Sequence, residues 1–517
     1  MPDIVLATIN AKWIHPSLAL RLLKANLGSL EENCEILEFA LRQPLREKVE
    51  PILAARPRIL GLSVSIWNHT ATLELLEALQ EEWNKKRDTE GSKAGQKPGL
   101  LPWVVLGGPE VSWLPEDAEI FRRADYVIRG EAEESFRALC YRIFAGKFPS
   151  GTDSPDLLLT ERKSAFINQG ETSVDLNSIA SPYRLYTEED LRRKLVYVEA
   201  SRGCPFGCEF CLCAVRRHIS DGRNNVQRAR EFPLEPFLAD METLIKKGGR
   251  QFKFLDRTFN LDINRAKRIM EFFLERIEPA KGSRPLCVHF EMVPSRFPPE
   301  LRDVLRRFPP GALRLELGIQ TFNPQTSALV RRSGDTASAS RQAPETVETL
   351  KFLRRETNAI VHADLIAGLP GEDLASFGAG FDMLHEAMAG FSPGVSKTEI
   401  PFEIQLGILK CLPGTPISRH NGAYGMKYSV KPPYEVIETG ALSAAELDKV
   451  KNFARFWEIL VNRNPFPEFV SRFFPYDKPV FEKFMALSDR LLEHFGRNWG
   501  IDRKDLEFFL RETEFYF

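Results

Sequence analysis

Apolar positions recur along the chain in two spacings. In the first part, short apolar runs (IVLATIN from Ile4, CEILEFA from Cys34, RILGLSVSI from Arg58, WVVLGG from Trp103 and DYVI from Asp125) alternate with stretches whose apolar residues return every three or four positions. The runs predict strands, and the stretches from about Ser17, Leu45 and Thr70 predict helices. Strand and helix alternating in this way read as a doubly wound, Rossmann-like parallel α/β domain over residues 1–145. The polar, glycine-containing run NKKRDTEGSKAGQKPG, from Asn84, reads as a surface insertion. Between Gly146 and Arg193 the periodicity fades while Pro, Ser, Thr and Asp accumulate, so residues 146–193 read as a connection between domains.

A second alternation begins at Lys194. Its apolar runs are LVYVEA, FKFLD, LCVHFE, LRLELGI, IVHADLIAGL and FEIQLGIL, with helical patterns between most of them. Six such units predict an open, partial (β/α)6 barrel over 194–420, with its chemistry at the carboxyl ends of the strands. Within it GDTASASRQAPE (334–345) reads as a loop insertion. After about His420 the strand signals stop, and helical patterns rich in Phe, Trp and Arg run to Phe517, predicting a C-terminal helical domain over 421–517.

Composition narrows the class. At 517 residues the chain is too long for one core, because domains usually run to ~100–200 residues. With 43% hydrophobic and 27% charged residues it is ordinarily globular. Lys and Arg total 70 against 71 for Asp and Glu, so no global basic field marks a nucleic-acid partner. The opening MPDIVLATINAKW lacks the pattern of a secretory leader, and no apolar stretch reaches ~18 residues, so a cytoplasmic chain without a membrane span is expected. Eight cysteines are too few for a disulfide scaffold, and four of them crowd into positions 204–213, which points to metal.

Those four lie in SRGCPFGCEFCLC, directly after the first barrel run. Cys204, Cys208 and Cys211 make C-x-x-x-C-x-x-C, and three thiolates on a 4Fe-4S cubane leave one iron open. Gly203, Pro205 and Gly207 suit a tight loop around such a cluster. The competing chemistry is a structural zinc closed by Cys213, but the second C-x-x-C knuckle that such sites pair with is absent. Cys213 then reads as a neighbouring thiol, and Cys34, Cys140, Cys287 and Cys411 as small core residues.

In this spacing, with Phe210 before the last cysteine, residues 194–419 resemble the radical S-adenosylmethionine (SAM) superfamily. The resemblance implies that the open iron chelates the amino and carboxylate groups of SAM, whose reductive cleavage releases a 5′-deoxyadenosyl radical. Further segments look like the SAM-binding strands of the branch related to oxygen-independent coproporphyrinogen oxidase: Glu291 in HFEMVPSRF, Gln320 in LGIQTFN, Arg332 twelve residues later, and Asp364 in HADLIAGLPGE. Glu291 or Asp364 would accept from ribose hydroxyls and Arg332 would pair with the methionine carboxylate; each residue also reads as a strand-end cap or salt-bridge partner. Where the superfamily often has Gly-Gly-Glu this chain has LDRTFN, so that Asp256 would hold the SAM amino group. LPGTP (412–416) resembles a loop of the same branch and reads equally as a simple turn.

VVLGGPEVS (104–112) and YVIRGEAEESF (126–136) look like the cobalamin-binding domain of cobalamin-dependent radical SAM enzymes. Gly107 and Gly108 would leave room at a strand end for the nucleotide tail, and Ser63 or Ser65 would bond to it. The D-x-H-x-x-G run that supplies a cobalt ligand in many cobalamin domains is absent, and His15 and His69 are the only histidines before the barrel. The lower face of cobalt therefore has no assigned ligand, and loss of cobalamin stays open.

The resemblance implies an enzyme that methylates an unactivated carbon, with cobalamin as methyl carrier and an external electron donor such as flavodoxin or ferredoxin. Two alternatives stand beside it: a cyclase, oxidase or rearrangement enzyme without methyl transfer, and a degenerate redox-sensing module. Retention of Glu291, Gln320, Arg332 and Asp364 counts against the last, since a sensor needs no SAM pocket. No residue pattern picks out the substrate.

Overall fold

Ile4–Asn10 (β1) is buried at six consecutive positions, as befits a strand covered on both faces. It pairs in parallel with Cys34–Ala40 (β2) on one side and Ile59–Ser63 (β3) on the other. Trp103–Gly107 (β4), Tyr126–Arg129 (β5) and Ala165–Asn168 (β6) extend the sheet, all parallel, to the order β2-β1-β3-β4-β5-β6. The strand order reverses between β1 and β3, where open parallel sheets bind ligands outside their carboxyl ends. The structure is a computed structural model that describes residues 1–90, 101–146, 165–168, 173–214, 229–277, 285–332, 336–389, 402–473 and 479–513. Within that range the chain divides into two compact units, 1–198 with 231–252 and 199–230 with 253–517.

Helices cover both faces of the first sheet: Leu18–Ala25 (α1), Leu45–Ala55 (α2), His69–Glu90 (α3) and Glu133–Phe144 (α4). Leu20, Phe136 and Leu139 of α1 and α4 pack with Ile4, Leu6 and Ile128, while Ile52, Leu75 and Leu79 of α2 and α3 pack with Val5, Leu60 and Leu62. Ser17 starts α1 where expected, its Oγ accepting from the Leu20 amide at 3.2 Å. The doubly wound reading is thus the observed fold. The connection expected at 146–193 is corrected in part. Ala165–Asn168 joins the sheet as β6, and Glu188–Arg193 forms a helix capped by Thr187. A four-residue edge strand carries too little periodicity to be seen in the sequence. Most of the insertion from Asn84, residues 91–99, lies outside the described residues.

The second six-stranded sheet comprises Val196–Val198 (β7), Gln251–Phe254 (β8), Cys287–Met292 (β9), Leu313–Gln320 (β10), Ile360–Ala367 (β11) and Phe402–Ile408 (β12). Its order follows the chain, β12-β11-β10-β9-β8-β7, and β9 to β12 pair in parallel, as an open partial barrel requires. In β10, Leu313, Leu315, Leu317 and Ile319 are buried, whereas Arg314, Glu316, Gly318 and Gln320 occupy the alternate positions. One face of the strand is therefore apolar and the other polar.

One expectation in this half is corrected. Residues 336–345 are not a loop but the first half of the helix Thr336–Glu356, whose packed side is built from Ala339, Thr346, Thr349, Leu350 and Leu353. Small and short polar residues hide such a face from a hydrophobicity pattern. After residue 421 the chain is mainly helical, as expected, and these helices pack on the barrel. Ala444–Trp457 and Phe481–Phe495 share an aromatic core with the barrel helix Leu374–Ala389, in which Trp457 meets Phe381 at 4.8 Å and Phe453 meets Phe381 at 5.1 Å. A short antiparallel pair, Lys427–Tyr428 with Val436–Glu438, precedes them. Among the described residues no helix is long and apolar enough to cross a membrane.

Candidate active site

The cysteine loop begins where Gly203 takes φ +96°, a conformation that favours glycine. Asp256, at the carboxyl end of β8, holds the approach to it. Its Oδ2 accepts from the Ala200 amide at 2.9 Å and its Oδ1 from Ser201 Oγ at 2.6 Å. Complete burial pushes this carboxyl up to about 6 against those two bonds. Each oxygen thus accepts one hydrogen bond from the chain itself, so Asp256 supports the loop, and a carboxylate with further lone pairs keeps acceptor capacity for another donor.

Cys204 and Cys208 are buried, and Cys211 and Cys213 half-buried; none is in a disulfide. Cys204 Sγ lies 3.4 Å from the buried Thr258 Oγ1. Cys208 Sγ receives Arg332 Nη1 at 3.6 Å. Burial raises the Cys208 thiol, the Arg332 charge opposes that, and negative charge on Cys211 and Cys204 adds to the rise, so the three sulfurs share one neighbourhood. A hydrogen bond from Cys213 lowers the Cys211 thiol and raises that of Cys213, leaving Cys211 the better thiolate. Among the described residues no three His, Cys, Asp or Glu side chains converge on one point as a single metal ion demands. A cubane is held differently, each thiolate binding its own iron. Three thiols, one of them under a guanidinium, are a donor set that fits it.

On the adjoining strands Glu291 occupies the polar face of β9, 4.0 Å from Arg257 across the pair. Burial raises its carboxyl and the Arg257 charge lowers it. Gly318 and Asp364 are partners in the β10–β11 register. Asp364 Oδ1 is buried with no hydrogen-bond partner among the described residues. Burial, with Glu316 and Glu291 adding, pushes Asp364 up to about 7. Gln320 ends β10 at φ +72° after a register shift, and its amide folds over Gly318, where a Cβ would come within 2.5 Å of Gln320 Nε2. Arg332 Nη2 donates to the Gly318 carbonyl. The structure therefore gathers Gln320 and Arg332 around Gly318 and sets Asp364 beside it. Phe210 is half-buried next to Cys211.

Four residues of this region escaped sequence reading. Gly318 is one. Glu316 is another, held down at about 2 by His289, 3.2 Å away, with Lys253 also at 3.2 Å. Glu372, in the GLPGE run, accepts from Thr321 Oγ1 at 2.5 Å and is raised by burial to about 7. The last is Glu209, between two of the cysteines and fully buried. Its carboxylate meets Arg331, Arg419 and His420, the two latter delivered by the turn Pro416–His420 that follows LPGTP. The only sequence signal was a lone acid in a loop of glycine, cysteine and aromatics.

In the first unit the four residues read for cobalamin lie at or just beyond the carboxyl ends of β3 and β4. The Ser63 carbonyl accepts from Thr8 and Asn68, and the buried Ser65 donates its amide to Asn68 Oδ1 at 2.7 Å. Gly108 takes φ +108°, and a Cβ there would lie 2.5 Å from the Val64 carbonyl oxygen. Its missing side chain lets two backbone segments touch. At Gly107 a Cβ would meet only the Ile128 carbonyl at 3.8 Å, so that position is open. Ser112 Oγ donates to the Gly108 carbonyl at 2.7 Å and accepts from the Gly130 amide at 3.1 Å, which ties the GGPE and RGE segments together. His69 pairs with the buried Glu110 at 3.0 Å, and His15 with the Tyr197 hydroxyl at 2.7 Å.

The radical SAM superfamily profile matches residues 198–384, and a protein-of-unknown-function family, DUF4080, matches 422–504. A ribosomal protein uS12 methylthiotransferase, RimO, of Porphyromonas gingivalis is 30% identical over 202 residues, 37% of this chain and 42% of that protein. The bacteriochlorophyllide d C-12(1)-methyltransferase of Chlorobaculum tepidum is 25% identical over 316 residues, 60% of this chain and 58% of that one. The chain thus spans about two-fifths of the length of the methylthiotransferase it matches. The radical SAM methyltransferase TsrM of Kitasatospora setae, solved with cobalamin and a [4Fe-4S] cluster, superimposes with TM-score 0.54 at 19% identity over 84% of this chain and 78% of that one. The cobalamin-dependent radical enzyme OxsB superimposes with TM-score 0.60 at 14% identity over 100% of this chain and 76% of the other. Residues 198–384 thus carry a radical SAM domain, and the chain shares its fold with TsrM and OxsB.

Proposed function

We propose that the protein is a cobalamin-dependent radical SAM methyltransferase acting on an unactivated carbon. The observation that carries this reading is the pairing, in one chain, of a doubly wound parallel unit with a radical SAM barrel, a fold shared with TsrM over 84% of its length. The methyltransferase of Chlorobaculum tepidum supports the same chemistry from sequence. When bound, the cluster supplies the electron that cleaves SAM, and cobalamin supplies a carrier for the methyl group.

The chain's own residues would act as follows. Cys204, Cys208 and Cys211 hold the cluster. The unpartnered Oδ1 of Asp364 accepts a ribose hydroxyl, with Glu291 on the neighbouring face, while Arg332 bridges the cluster loop and the methionine end of SAM. Gln320, folded over Gly318, closes the strand end. In the first unit Ser63 and the open position at Gly107 support a cobalamin tail at the carboxyl ends of β3 and β4. An external low-potential donor, such as flavodoxin or ferredoxin, provides the electron.

The test is cobalamin absorbance on anaerobically purified full-length protein, followed by turnover with SAM labelled in its methyl group. Stoichiometric cobalamin and label in the product are expected. A protein that takes up no cobalamin, or a product without label, refutes methyl transfer and favours cyclisation, oxidation or rearrangement.

A further inference from the structure

Glu209 is a carboxylate with 0% exposure, and such a group is stable only when paired. Its partners come from two distant stretches of chain. Oε1 lies 3.0 Å from Arg331 Nε and 2.5 Å from Arg419 Nη2, and Oε2 lies 2.8 Å from His420 Nε2. The backbone of the same residue is fastened as well, its amide donating to the Val330 carbonyl at 3.0 Å and its carbonyl accepting from the Ile417 amide at 3.1 Å. Five contacts thus converge on one position between Cys208 and Cys211. Two consecutive arginines divide the work: Arg331 binds Glu209, and Arg332 reaches Cys208 Sγ at 3.6 Å.

We propose that Glu209 is a positioning residue for the cluster, clamping the C-x-x-x-C-x-x-C loop to Arg331 and to the Pro416–His420 turn while its charge offsets the Arg331 and Arg419 guanidinium groups that meet it. The inference rests on Cys204, Cys208 and Cys211 as cluster ligands and is independent of cobalamin and of methyl transfer. The electrostatics follow from burial. Glu209 is buried while the Arg331 and Arg419 side chains are 55% and 43% exposed, so the carboxylate acts on a neighbouring redox centre more strongly than either partly screened cation. Hydrogen bonding and net charge are among the levers that set iron–sulfur potentials. Removing the carboxylate leaves Arg331 and Arg419 uncompensated, which favours the more negative, reduced cluster and raises its midpoint potential. Removing the Arg419 charge does the opposite.

The experiment is an anaerobic redox titration, followed by electron paramagnetic resonance, on reconstituted full-length wild type, Glu209→Gln, Glu209→Asp and Arg419→Gln. Iron is quantified in each. Glu209→Gln should retain iron and titrate above wild type, Glu209→Asp should titrate close to wild type, and Arg419→Gln should titrate below it. Glu209→Ala, which cuts the clamp, should lose more than half of its iron. Shifts of the same sign in Glu209→Gln and Arg419→Gln, or no shift in either, would overturn the proposal. Should Glu209→Gln not fold, Arg419→Gln decides alone, since its side chain is 43% exposed and tolerates replacement; an unchanged potential there refutes the role. Wild type that binds no iron would remove the cluster assignment and this proposal with it, whereas absence of cobalamin leaves the proposal standing.

Discussion

The guanidinium of Arg332 lies 3.6 Å from Sγ of Cys208 and also donates to the carbonyl of Gly318, the residue registered with Asp364. One side chain therefore spans the cysteine loop and the strand ends that would hold SAM. Here the two contacts use the two terminal nitrogens of a planar fork, a spread that the single nitrogen of a lysine does not reproduce.

Replacing Arg332 by Ala should then have two effects. SAM binding should weaken roughly tenfold or more, since hydrogen bonds to charged groups are worth about 1.5–3 kcal/mol. The electron paramagnetic resonance signal of the SAM-free reduced cluster should also change, because a donor to Cys208 is lost. Arg332→Lys should recover less than half of either effect. Unchanged affinity and an unchanged signal in the Ala variant would show that neither contact forms.

Asp364 makes the account sensitive to pH. An unperturbed Asp has a pKa of ~3.9, whereas burial, with Glu316 and Glu291, holds this one at about 7 in the folded chain. A carboxyl raised on folding favours its protonated form, so its contribution to stability is complete below the unfolded value and is lost as pH rises through the folded one. Asp364→Asn should accordingly raise the Tm of SAM-free protein at pH 8 and change it little at pH 4. A Tm difference that does not vary with pH would contradict this.

The two adjacent glycines of β4 should behave differently. Gly108→Ala forces a Cβ to 2.5 Å from the Val64 carbonyl oxygen at φ +108°, and should destabilise the first unit by about 1–3 kcal/mol. Gly107→Ala, with its nearest contact at 3.8 Å, should be tolerated. Denaturant titration of both variants checks this, and equal losses would refute the packing argument.

Phe381 and Trp457, 4.8 Å apart, join the barrel helix to the helices that follow it. Trp457→Ala should cost about 3–5 kcal/mol. Because the core is shared, iron release should follow the same thermal transition. A variant that loses helix content at one temperature and iron at a distinctly higher one would contradict this coupling.

Much of this architecture was legible from spacing alone. β1 to β5 and the six barrel strands are apolar runs bounded by helical patterns, and the cysteine spacing carries its own chemistry. What could not be read depends on partners far apart in sequence. Glu209 finds His420 at a separation of 211 residues, so nothing near it in the chain announces a buried ion cluster. Asp256 has a second task that its sequence neighbours do not announce, since Ala200 and Ser201 donate to its two oxygens from 55 or more residues away. At Gly108 the close approach of Val64, 44 residues away, also demands a glycine, which sequence reading did not show. Thr336–Glu356 escaped because its buried side is made of Ala and Thr as much as Leu.

The most direct test of the central claim is reductive cleavage of SAM by anaerobically reconstituted protein, with 5′-deoxyadenosine and bound iron quantified in wild type and in single Ala variants of Cys204, Cys208, Cys211 and Cys213. The account predicts about four irons and 5′-deoxyadenosine formation in wild type and Cys213→Ala, and loss of both in the other three. Dependence on Cys213 equal to that on the other three, or wild type that binds iron yet leaves SAM intact, would contradict it.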